Sequence, residues 1–265
     1  MQHKSLFIFD IETIPDEEAA INLLNISENA TKSEKREALK NYHLEITDGK
    51  NDFLRQPFHK VVAISFLEAD IIRENGEERY ELTNIKSGGT AESSEEDLIK
   101  GFFNYLKRKT PRFVSFNGRT FDFPVLKYRA MKYRVSAPWL YKIGDKWNNY
   151  SQRYSLDWHC DLLEAFSDFG ASSRIKMNEI CSILNLPGKT GIDGSKVMDY
   201  FDQGKIEDIR NYCESDVINT YLLYLHYQHF TGTISSDNFI KAKEDLVNYI
   251  KMNETEKFYL KEFIE

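Results

Sequence analysis

The chain has little cysteine and no long apolar run. Cys160, Cys181 and Cys213 are an odd number, widely spaced, with no C-x-x-C pair. That argues against a disulfide framework or a zinc site and suits buried thiols in a reducing compartment. Nowhere do about 18 uninterrupted apolar residues occur, so no segment reads as a membrane span. The N-terminal apolar stretch stops at Asp10, too early for a secretory signal. Internal repeats, low-complexity tracts, a clear domain linker and EF-hand loops are also missing. The expectation is a soluble, cytoplasmic protein. A net charge of -7 argues against a generalist nucleic-acid coat. A ligand, however, feels the local field rather than the total.

What is present suffices for a substantial core. Of 265 residues, 41% are hydrophobic and 14% aromatic. Strands are expected at 5–14, 60–69, 78–86 and 112–117, with "ENGEE" as a hairpin turn between the second and third. Helices are expected at 95–109, 123–134 and 206–228, with shorter ones at 175–186 and 195–204. Serines at 93 and 94 stand where they would cap the first of these. A strand or loop passing into a helix is expected around 154–166, and a charged helical tail from Asp237. Residues 16–56 read as a helical insertion after the first strand. Strands and helices mix as in an α/β sheet protein.

The first strand, "LFIFDIETIP", carries two carboxylates where burial is expected. Side chains in a strand alternate with period two, so Leu6, Ile8, Asp10 and Glu12 share one face. Phe7, Phe9 and Ile11 cover the other. Apolar residues on both faces describe a central strand. Two like charges at its end repel, and each is costly to desolvate unless something neutralises it. Such a strand end asks for a cation.

Two further acids are directed inward. Asp122 follows "VSFNGRTF" and precedes a proline-started helix; on its own it reads as a helix N-cap. In the long helix, Cys213, Asp216 and Thr220 fall on the apolar stripe, with Tyr212 at its edge. Tyr212 and Asp216 are i and i+4 neighbours and can face one point. No Cys or His accompanies the four acids in any ligand spacing. Oxygen-only donors suit Mg²⁺ or Mn²⁺ rather than zinc.

The order D-x-E, N-x(3)-F-D, Y-x(3)-D resembles the DEDDy 3′–5′ exonucleases of the DnaQ-like group, which have an RNase H-like fold. Its carriers are "FDIET" (Asp10, Glu12), "NGRTFD" (Asn117, Asp122) and "YCESD" (Tyr212, Asp216), with "GIDGSKV" between the last two. The chain is similar to the proofreading exonuclease of family-B DNA polymerases. It is closer still to stand-alone bacterial proteins of that type. The histidine class would need His at position 211, which is Asn.

The resemblance implies a mixed sheet flanked by helices and an exonuclease domain over 1–235, with a helical extension over 236–265. It implies two divalent cations, with Asp10 bridging both. Glu12 and Asp216 would complete one site and Asp122 would serve the other. Tyr212 would orient the attacking water. Thr13, Asn117 and Phe121 would hold the terminal nucleotide. The implied reaction releases nucleoside 5′-monophosphates from 3′ ends of single-stranded nucleic acid, DNA before RNA. A polymerase or repair partner would have to come from elsewhere.

Ten basic residues and one acid between Lys100 and Arg134, interleaved with Tyr105, Phe116, Phe121, Tyr128 and Tyr133, read as a substrate track. The plainer alternative is two solvated helix faces. "PGKTGIDG" lacks phosphate-loop spacing and reads as a loop before a helix capped by Ser195. His159, between Asp157 and Asp161, reads as structural. Competing readings are an exoribonuclease of the same chemistry, a silent nucleic-acid-binding module and a structural Ca²⁺ site. The last fails for want of an EF-hand loop.

Overall fold

The computed structural model describes residues 3–188 and 194–264. Most of the "PGKTGIDG" loop and the proposed Ser195 cap lie outside the described residues. Strand β1 (Ser5–Pro15) is central, antiparallel to β2 (His59–Glu74) and parallel to β4 (Arg112–Ser115). With β3 (Glu77–Ser87) and β5 (His159–Asp161) the order is β3-β2-β1-β4-β5. Asn75 and Gly76, at φ 52° and 83°, join β2 to β3. Positive φ at both turn residues matches the right-handed twist of the hairpin.

The expected alternation along β1 is what the packing shows. Leu6 and Ile8 enter a core shared with Val217 and Leu223 of the long helix α9 (Ile206–Phe230). Phe7, Phe9 and Ile11 enter another, with Phe102 of α3 (Glu95–Lys109) and Leu126 of α4 (Asp122–Lys132). Among the described residues, four short helices, α5 (Trp139–Lys142), α6 (Leu162–Phe166), α7 (Met177–Ile183) and α8 (Val197–Asp202), lie between α4 and α9. Ser94 caps α3 through a capping box with Asp97. Between Glu12 and Thr13 the register with β2 slips. Val62 and Ala63 both join Ile14 under Tyr212 and Cys213. An extra residue on one strand bends it locally, here beside the two acids.

The insertion holds α1 (Glu17–Leu24) and α2 (Lys32–Ile46), packed through Ala20, Leu39 and Leu54. Buried Arg129 of α4 fastens it to the body. Arg129 donates to Asp16, the α1 cap, at 2.5 Å and to Glu95 of α3. Helix α9 is more enclosed than a single stripe predicts. It is buried on all sides between Tyr212 and Leu225, because α10 (Ser236–Met252) adds Ala242, Leu246 and Ile250 to the core behind it. Lys257 and Tyr259 reach the buried Glu214 of α9, both at 2.6 Å.

These ion pairs carry a pH signature. Burial alone would push the Asp16 carboxyl up, but the hydrogen bond and charge of Arg129, with Lys132, hold it below its ordinary range. Arg112 holds buried Glu78 down in the same way. A carboxyl with a depressed folded-state pKa stabilises the fold above its unfolded value, about 4, and that contribution fades as pH falls through the folded value. The unfolding temperature should therefore hold from pH 7 to about 5 and decline below about 4. Asp16→Asn should flatten the decline. An acid slope indifferent to Asp16→Asn would assign it to other groups.

Candidate active site

Asp10 and Glu12 project from the α9 face of β1, the first half-buried and the second buried. One ligand-capable atom each from Asp10, Glu12 and Cys213 lie within 4.8 Å of one another. Asp122 reaches the same place from α4. Its Oδ1 accepts the backbone N–H of Ile11 at 3.2 Å, on the residue between the two strand acids. The N-cap reading of Asp122 is therefore corrected. Phe121 holds the cap position without a side-chain bond, and Asp122 is the first helical residue. Its carboxylate meets β1.

The turn that delivers Asp122 is held by a different acid. Buried Asp161 accepts the amide N–H groups of Asn117 (2.9 Å) and Arg119 (2.8 Å), and that of Leu163 (3.0 Å) at the start of the helix Leu162–Phe166. Burial raises the Asp161 carboxyl, and the amide donors only partly offset it. Gly118 is required by close approach: a Cβ there would meet the Ser115 side chain at 2.5 Å. His159 is structural, as its sequence context suggests. It is buried with Nε2 2.8 Å from Ser115 Oγ, and burial followed by the Arg119 charge lowers its pKa well below the usual value.

Helix α9 closes the group from above β1. Cys213 Sγ lies 3.4 Å from the Asp10 carbonyl oxygen and 3.7 Å from its Oδ2. Sequence spacing put no cysteine among the acids as a ligand, and it is the fold that brings Cys213 beside Asp10. Burial, then the Asp10 and Glu12 charges, push the thiol far above its usual pKa. The thiol stands where it donates to Asp10. Asp216, 1% exposed, lies one turn further along the same stripe, and buried Tyr212 precedes Cys213. The structure brings Asp10 and Glu12 together, joins Asp122 to the backbone between them, and carries Tyr212 and Asp216 on α9, which packs on β1.

The three expected substrate residues fall on β1 and on the Asn117–Asp122 turn. Thr13 Oγ1 is 2.9 Å from Nδ1 of His59, whose ring meets Phe121 edge-on at 4.9 Å. Asn117, in the left-handed region at φ 69°, opens the turn whose other end is Phe121, its carbonyl oxygen accepting the Phe121 N–H at 3.1 Å while its Oδ1 accepts from Arg174 at 2.6 Å. His59, Phe53 and Arg174 escaped the sequence reading. Phe53 is exposed and its ring lies 5.5 Å from Phe121. Only its aromatic character within a polar insertion could have drawn notice.

The basic run does not form a continuous track. Arg112 is buried against Glu78 at 2.7 Å. Arg129 and Lys132 pair with Asp16, Glu95 and Glu18, and Lys100 pairs with Glu96 at 2.6 Å. Arg119 donates to the backbone carbonyls of Tyr150, Gln152 and His159. At Arg112, Arg129 and Lys132 the neutralising acids come from distant segments, so part of the charge excess along the chain is cancelled in space. The solvated-face alternative fails for the same reason at Arg112 and Arg129.

Sheet order, helices on both faces and a buried acidic group at the end of the central strand define the class, an RNase H-like exonuclease domain. Domains of this kind use divalent metals. The chain belongs to the family described as "Predicted 3'-5' exonuclease related to the exonuclease domain of PolB", matched over residues 51–265. Asp10 and Glu12 lie ahead of that span and are joined to it by the β1 pairing. Among curated proteins the chain is similar to the catalytic subunit of DNA polymerase epsilon from Dictyostelium discoideum, 28% identical over 149 residues. It is also similar to its counterpart in Aspergillus fumigatus, 26% identical over 144 residues. Each match covers 52% of this chain and 6% of the relative. No described helix is long and apolar enough to cross a membrane.

Proposed function

We propose that the chain hydrolyses the terminal phosphodiester of single-stranded DNA from the 3′ end, using two Mg²⁺ or Mn²⁺ ions and releasing nucleoside 5′-monophosphates. The observation that carries this reading is the bond from Ile11 to Asp122. It draws a carboxylate 111 positions away to the two acids of β1. A buried group of hard oxygen donors fits such ions. Asp10, Glu12 and Asp216 would hold one and Asp122 the other. A divalent cation bound there supplies a positive centre that neutralises phosphodiester charge and makes water acidic near neutral pH.

The chain's own groups do the positioning. Tyr212 offers one hydroxyl to align the attacking water, Thr13 and Phe121 border the terminal sugar and base, and Asn117 with Arg174 contacts strand further out. The exonuclease domain is assigned to 1–235, with the helices of 236–265 as an extension. DNA is preferred over RNA because the matched relatives are named as DNA polymerase subunits. Proofreading or repair in the cytoplasm with a partner enzyme fits this activity.

The test uses 5′-labelled DNA and RNA strands with Mg²⁺, Mn²⁺ or EDTA. A metal-dependent ladder shortening from the 3′ end, on DNA faster than RNA, is expected. No shortening of either strand would sink the proposal. Tyr212→Phe should slow turnover by about 10²-fold or more, the span of acid–base and water-orienting contributions, while metal affinity by calorimetry stays level. Unchanged turnover would remove Tyr212 from the reaction.

A further inference from the structure

One exposed ring of the insertion is held beside the turn that delivers Asp122. Phe53 is 56% exposed, while its neighbour Leu54 is buried in the insertion core with Ala20 and Leu39. Asn51 Oδ1 accepts the Phe53 amide N–H at 2.9 Å. Two contacts tie this segment to the body. Gln56 Nε2 donates to the Thr120 carbonyl at 2.9 Å, next to Phe121. His59 Nε2 lies 3.0 Å from the Leu54 carbonyl oxygen, and its Nδ1 lies 2.9 Å from Thr13 Oγ1. A carbonyl only accepts, so Nε2 carries the proton. Burial pushes the His59 pKa down and keeps the ring neutral, so Nδ1 accepts from the Thr13 hydroxyl. The imidazole thereby joins β1 to the residue after Phe53.

Phe53 lies 5.2 Å from the His59 ring and 5.5 Å from the Phe121 ring, inclined to the latter by 50°. Rings this close are in contact and leave no room for a base between them. Phe121 is half-buried, so the aromatic surface open to a ligand is chiefly that of Phe53. Keeping an apolar ring in water gains the fold nothing on its wet side, yet this one is fixed from three directions. We propose that Phe53 is a substrate-binding residue whose free face stacks on a base of the terminal dinucleotide of the strand. The insertion is then the element that carries an aromatic surface to the strand end. Such stacking tolerates any base, because every base has a π-face. The inference rests on the exonuclease reading and adds a base contact from outside β1, α4 and α9.

The experiment is fluorescence anisotropy with 5′-labelled eight-nucleotide dA strands and the full chain in EDTA, so that nothing is cut. One strand is intact, and two others are abasic at the terminal or the next position. Phe53→Leu keeps an apolar side chain without a π-face, and Phe53→Tyr restores one; at an exposed position both should melt like the parent. The parent should bind the intact strand about tenfold more tightly than at least one abasic strand, within the span of base–aromatic stacking. Phe53→Leu should shrink that margin by about threefold or more, and Phe53→Tyr should keep it. The change in margin is the readout, because Phe121 also borders a base and is present in every variant. With metal, Phe53→Leu should raise KM by about tenfold and leave kcat within about twofold. No strand binding, no margin in the parent, or a margin that survives Phe53→Leu would overturn the proposal. A parent that cuts 3′ ends while the margin ignores Phe53 leaves the exonuclease reading standing without this contact. A parent that cuts nothing sinks that reading whatever the anisotropy gives.

Discussion

Asp10→Ala and Asp216→Asn should each lower 3′–5′ hydrolysis by about 10³- to 10⁴-fold, a barrier increase of about 4–5.5 kcal/mol. Both remove hard donors from the place where metal is to be held, so the loss falls on the chemical step. Stability should move the other way. Without metal, Asp10 and Glu12 set like charges side by side beneath α9, which carries Asp216, and removing one relieves repulsion. The unfolding temperature in EDTA should therefore stay level or rise. Saturating Mn²⁺ at about 100 times its dissociation constant should stabilise the parent by about 2.7 kcal/mol. At about 2–4 °C per kcal/mol for a chain of this size, that is a rise of about 5–11 °C. The variants should lose most of it. Two melting curves and a single-turnover assay check the set. If both substitutions destabilise the metal-free protein by several degrees, the acids are structural.

The second large effect is expected at Arg129, outside the site. Arg129→Met leaves Asp16 and Glu95 buried, with Lys132 and the Tyr133 hydroxyl as remaining partners. Stripping one member from a buried ion group costs about 3–5 kcal/mol, or about 6–20 °C in unfolding temperature. Replacing the group as a whole behaves differently. Glu95 Oε1 also accepts the Val61 amide at 2.6 Å, and Gln can keep that bond. Arg129→Met with Asp16→Asn and Glu95→Gln should recover more than half of the loss, because no uncompensated charge remains. A triple variant no better than Arg129→Met would show that the arginine acts through packing rather than charge.

Which features the sequence disclosed follows from the range of the forces involved. The β1 faces were legible because period-two alternation is a property of neighbouring residues. So were the Asn75–Gly76 turn and the Ser94 cap. The placement of Tyr212 and Asp216 one turn apart on a buried part of α9 needed only helical spacing. What crosses the sheet was not legible. Nothing near Asp122 says that its carboxylate will accept from Ile11 rather than cap its own helix. Cys213 sits on the expected buried stripe, yet only the opposing strand reveals that its sulfur meets Asp10. The basic run misled most, because Arg112 finds Glu78 34 positions away and Arg129 finds Asp16 113 positions away. Spatial neutralisation has no local signature in the chain.

The acid group is also a matter of timing. Asp10 and Cys213 meet across 203 positions, so the carboxylates of β1 leave the ribosome long before the helix that covers them. Until α9 emerges, a nascent chain carries Asp10 and Glu12 on a bare strand face, without Asp216 or Tyr212. Such a fragment lacks α9, and on the proposed function products of translation that stop short of it would be silent toward the nucleic acid around them. Placing the central strand so far ahead of its cover would then make synthesis through α9 a condition for cutting.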